Sequence, residues 1–91
     1  MSKNNNLSVI SYTNGWTLWH YVDFKLELKD FSTDVGFFNF CKNLMNTGDK
    51  IVIVLKDSYV EQVITKIENG KVFTKNITCT MFEEDKEVKN V

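Results

Sequence analysis

Hydrophobic and polar positions alternate most cleanly at residues 24–29, with Phe24, Leu26 and Leu28 on one side and Lys25, Glu27 and Lys29 on the other. This period-2 pattern predicts a half-buried strand. Just before it, residues 16–22 place Trp16, Leu18, His20 and Val22 on one face and Thr17, Trp19 and Tyr21 on the other. Because both faces carry aromatic rings, that strand is either held between two layers or offers one aromatic face to a partner. Residues 7–13 predict a weaker strand, joined to the next by Asn14-Gly15, a pair that tolerates the positive φ angles of a tight hairpin.

In the middle of the chain, Phe37, Phe40, Cys41, Leu44 and Met45 fall at helical spacing. Ser32, Thr33 or Asp34 supplies a cap, and Gly48 a left-handed stop, so a short helix is expected over residues 36–46. Residues 51–55 form an unbroken apolar run that reads as a strand buried on both faces. After a turn at Lys56-Asp57-Ser58, residues 59–67 and 72–80 predict two further strands around Glu68-Asn69-Gly70-Lys71, the best hairpin signal in the sequence. These three strands make an antiparallel meander. The expected fold is mainly β, a compact antiparallel β roll or small sandwich with one short inserted α-helix at residues 36–46. Its single domain covers residues 7–82, between a polar tail at 1–6 and a charged tail at 83–91 that gains order on a neighbouring subunit.

Composition narrows the choice of function. A chain of 91 residues supports one core. Net charge is -1, and all 11 basic residues are lysine, so the forked side chains that read guanine edges or clamp phosphate are missing. Nucleic acid is accordingly not an expected partner. Arginine, alanine and proline are all absent while lysine and asparagine abound, a bias that points to an A·T-rich genome. No apolar h-region follows the polar first residues and no apolar run approaches the length of a bilayer span. The expectation is therefore a soluble protein, without a signal peptide, whose Cys41 and Cys79 are reduced and mostly buried. A single disulfide pairing between the two is the alternative.

Catalytic chemistry finds little to work with. His20 is the only histidine, which excludes a multi-histidine metal site and leaves only a spatial dyad with Cys41 or Cys79. Glu83, Glu84 and Asp85 lie in the tail, and the four glycines stand singly, so neither a carboxylate pair nor a phosphate-cradling loop is expected. The Asn76-Ile77-Thr78 sequon sits inside an expected strand and carries no weight. No cofactor, metal or enzymatic activity is expected. The densest aromatic cluster, Trp16, Trp19, Tyr21 and Phe24, fills a core, lines a subunit contact or stacks on bases. Trp16, Trp19 and Tyr21 are taken as candidate oligomer contacts. The rival reading is a small β-barrel module for single-stranded nucleic acid or a peptide strand, with charge from Lys50, Lys56, Lys66, Lys71 and Lys75.

Read in order, Leu18-Trp19-His20-Tyr21, Gly36-Phe37-Phe38-Asn39, Leu44 and Gly48-Asp49-Lys50-Ile51-Val52-Ile53-Val54 resemble a pattern in small proteins of tailed bacteriophages and prophages. There an aromatic strand leads to a Gly-aromatic-Phe-Asn element, a short helix and a Gly-Asp-x-Ile strand start. The resemblance covers residues 16–72; it departs at Phe40-Cys41-Lys42-Asn43, where such proteins commonly carry alanine-rich helices. It implies a non-enzymatic virion or morphogenesis component, located in the virion or otherwise cytoplasmic, with other virion proteins as partners. Self-association fits the same picture, with a homo-oligomer expected and a trimer favoured, because a closed ring or trimer would cap sheet edges that no proline protects.

Overall fold

The computed structural model describes residues 6–34 and 36–82. The tails expected at 1–6 and 83–91 lie outside it, apart from Asn6. Five strands make one sheet in sequence order: β1 (Leu7–Thr13), β2 (Trp16–Asp23), β3 (Lys50–Leu55), β4 (Ser58–Glu68) and β5 (Lys71–Met81). The protein is mainly β, with one short helix, α1 (Leu28–Ser32), and a 3₁₀ turn at Asn39–Cys41 among the described residues.

Both hairpins form where the turn residues demand them. Asn14-Gly15 links β1 to β2, with Gly15 at φ 113°. Asn69 and Gly70 both take positive φ, 54° and 78°, the left-handed pair that a two-residue turn needs to match strand twist. β3, β4 and β5 then run as the antiparallel meander expected of them.

The joint between the halves differs from expectation. β2 and β3 lie parallel, with Trp19 opposite Ile51 and Tyr21 opposite Ile53. A parallel pair requires a crossover, and residues 24–49 supply it along one face of the sheet. This segment is neither the strand expected at 24–29 nor the helix expected at 36–46. At 24–29 the chain leaves the sheet because Asp23 binds it into a turn, its carboxylate accepting from Lys25 N at 3.0 Å and its carbonyl from Leu26 N at 3.3 Å. The alternation there records Leu26 and Leu28 packing on the core, not a strand.

At 36–46, Gly36 takes φ 85° and a succession of tight turns sends neighbouring Phe37 and Phe38 inward together with Cys41 and Met45. Phe40 and Leu44 face outward. Asn39 fixes that path, because its side-chain oxygen accepts the backbone N–H of Val72 in β5 at 2.8 Å. Beneath the crossover lies the core. Phe31, Phe37, Phe38 and Tyr21 meet edge to face at centroid separations of 4.9 to 6.1 Å, over Ile51, Ile53, Leu55, Val60 and Ile64.

Candidate functional site

The sheet's second face takes its shape from a buried knot at the start of β3. Asp49 is fully buried, and its carboxylate accepts the backbone N–H of Thr17, the backbone N–H of Asn46 and the indole N–H of Trp19, each at 2.9 Å. Its main chain is held as well: Asp49 N donates to Asn46 O and Asp49 O accepts from Ile64 N. One residue therefore joins β2, the end of the crossover and β4, and sets the register of the parallel seam. Asp57 performs a smaller version of the same task, accepting the first N–H of α1 at Leu28 and binding Phe82 N through its carbonyl.

With Trp19, Tyr21, Ile51, Ile53 and Val60 turned into the core, strand alternation turns their neighbours to the other side. Three rows run across β2, β3 and β4 there: Leu18, Lys50 and Val63; His20, Val52 and Glu61; Val22, Val54 and Tyr59. No layer of the described residues covers them, and except for exposed Lys50 they are half-buried among one another. The surface is apolar at its centre, with Val52 and Val54 on the middle strand. Its polar groups are few and arranged. Tyr59 donates its hydroxyl to Glu61 at 2.6 Å, and that bond, with burial second, raises the tyrosine above its ordinary range. Lys50 places its ammonium 5.4 Å over the Trp16 ring.

Both flanking strands are sheet edges. β1 exposes Val9, Ile10 and Tyr12, with a bulge between Val9 and Ser11. β5 is exposed over most of its eleven residues, including Ile77 and Phe73, and two irregularities interrupt its pairing with β4. On the crossover side, a pocket of about 280 Å³ opens between α1 and β4–β5, lined by Phe31, Phe37, Gln62, Val72 and Asn76 among others. Gln62 donates to Asn76 Oδ1 at 2.8 Å, while its own side-chain oxygen is buried without a protein partner. A water bridging to solvent would satisfy that oxygen.

The structure separates the residues singled out by sequence. Trp16 stands half-buried at the margin of the open face. Trp19 and Tyr21 are core side chains, 8% and 1% exposed, so they are not surface contacts: the Asp49 carboxylate draws in the indole, and Phe37 and Phe38 enclose the phenol. His20 lies on the open face, whereas Cys41 is in the core and Cys79 stands opposite Val60, whose side chain is on the crossover side. The imagined dyad therefore does not form. The two cysteines are not joined in a disulfide, and Cys79 is exposed rather than buried. Of the lysines, Lys56 pairs with Glu27 and Lys66 with Glu68, which offsets their charge; Lys50, Lys71 and Lys75 are exposed.

Asp49, Val52 and Val54 were not singled out as site residues. Gly48-Asp49 read as a stop after a helix and as the start of a strand, and the buried role of a carboxylate held by neutral donors has no local pattern to announce it. Among the described residues no three His, Cys, Asp or Glu side chains gather as metal ligands, and no helix is long and apolar enough to cross a membrane. Compared with known proteins, the chain matches no protein family, no curated protein and no solved structure.

Proposed function

We propose that this chain is a structural or assembly protein that works by contact with copies of itself, as a virion component of the kind its ordered motifs resemble. The observation that carries this reading is the uncovered apolar face of the central strands, bounded by two exposed edge strands. A monomer that leaves Val52 and Val54 half in water keeps apolar surface that association would bury. The near balance of 11 basic and 12 acidic residues lets copies approach without strong repulsion. The motif residues support the reading indirectly. Trp19 with Asp49, and Tyr21 with Phe37 and Phe38, hold the sheet and crossover together, which leaves the outward positions to differ between proteins that share the frame.

Native mass by light scattering across a range of protein and salt concentration tests this proposal. A defined oligomer that persists into the low micromolar range is the expected result; a monomer throughout overturns it. A second reading, capture of a peptide strand along β5, draws on that strand's exposed length. It predicts a monomer that binds an extended peptide, and no binding removes it.

A further inference from the structure

The meander's first strand carries apolar side chains on both faces: Ile51, Ile53 and Leu55 inward, Val52 and Val54 outward. That composition belongs to a strand packed between two layers. The described chain supplies one layer, the crossover. Residues 83–91 make a poor second layer, because six of the nine are charged and only Val88 and Val91 are apolar.

We infer that the second layer is a second copy of this chain, packed face to face across a two-fold axis that runs along β3, so that two sheets form one sandwich. This rests on the self-association proposed above and names its surface. Rotation about an axis along β3 exchanges the β2 and β4 sides. His20 of one copy then lies over Glu61 of the other, twice, while Leu18 covers Val63 and Val22 covers Tyr59. The alternative axis, across the strands, would set Glu61 against Glu61 and His20 against His20. Lys50 lies nearest the chosen axis, but its ammonium is drawn aside over Trp16 in β2.

The area suffices. Five strands spaced about 4.8 Å apart, over some seven residues of about 3.3 Å each, present roughly 550 Å² of flat surface before side-chain relief is counted. Two such faces bury more than the roughly 1,000 Å² at which specific interfaces begin. Aligned packing at about 30° is the ordinary arrangement of two twisted sheets.

Native mass of the full chain and three variants tests the pairing, with far-ultraviolet circular dichroism confirming that each variant is folded. The parent is expected to contain two copies or a multiple of two. Val52→Lys replaces a half-exposed side chain at the centre of the face and should weaken association at least about 100-fold. His20→Glu should weaken it about 10-fold by opposing Glu61, and His20→Glu combined with Glu61→Lys should restore it. Leu44→Lys on the crossover, exposed on the opposite side of the sheet, should leave the pair intact. An odd-numbered oligomer such as a trimer, or an even one indifferent to Val52→Lys, overturns the face-to-face pairing and leaves self-association standing. A parent chain that stays monomeric overturns both.

Discussion

The Asp49 carboxylate accepts three N–H groups from two stretches of chain, Thr17 and Trp19 of β2 and Asn46 at the end of the crossover, so its removal strands three donors, the two from β2 in a buried site. Asp49→Ala should cost about 3 kcal/mol or more in urea unfolding, and Asp49→Asn should recover little, since its amide would aim a donor at a donor. Trp19→Phe, which keeps most of the buried ring and loses only the indole N–H, should cost less than Trp19→Ser. Serine at position 19 or 21 is expected to unfold the monomer by removing about 3–5 kcal/mol of packing, not to dissociate a folded one. Two tyrosines add a pH dependence. Tyr59 is raised by its bond to Glu61, and Tyr21 by burial, against which its bond to Asn6 acts. A proton held more tightly in the folded chain stabilises it below the ordinary tyrosine range near 10, and that contribution is lost as pH rises through the higher folded values. Stability should therefore fall as pH rises above the ordinary tyrosine value of about 10, and Tyr59→Phe should make the fall shallower; an equally steep fall in that variant would remove Tyr59 from the account.

Among the elements, the crossover is the most finely fitted. A Cβ at Gly36, which sits at φ 85°, would come within 2.5 Å of Asn39 Nδ2, and the Asn39 side chain is already committed to Val72 N. A Cβ at Gly15, at φ 113°, would meet nothing within 4 Å. Gly15→Ala should thus cost about 1 kcal/mol from backbone conformation alone, and Gly36→Ala about 2–3 kcal/mol, a difference that thermal melts would resolve. The same contrast explains what was legible in the chain. Asn14-Gly15 and Asn69-Gly70 act through their own backbone angles, so the hairpins and the faces of β2 follow from local residues. The crossover acts through Asn39 on Val72, Asp57 on Leu28 and Asp49 on Trp19, partners some thirty residues away. Alternation at 24–29 and helical spacing at 36–46 reported the core side chains only in part: Leu26, Leu28, Phe37, Cys41 and Met45 touch the core, Phe24, Phe40 and Leu44 are exposed, and buried Phe38 lay outside the pattern. The open face was half legible: residues 51–55 read as covered on both sides, and only one cover lies within the described chain.

For the molecule as a whole, β3 occupies the middle of the sheet with a strand on each side, while β1 and β5 close nothing. Hydrogen exchange should be slowest in β3, approaching the rate set by global unfolding, and fast at the outward-facing amides of β5. Association across the open face should deepen protection in β3 and leave that β5 edge exposed, whereas edge pairing would reverse the pattern. The parallel seam also has a kinetic meaning. The β1–β2 hairpin and the β3–β5 meander are each built from contacts close in sequence, and such units form in microseconds, but the β2–β3 contact must wait for residues 24–49 to close as a loop. If docking of two preformed halves is the last step, the two bonds from β2 to Asp49 are absent from the transition state. Asp49→Asn should then hasten unfolding and leave the refolding rate nearly unchanged, so that the side chain acts as a latch on a structure already assembled.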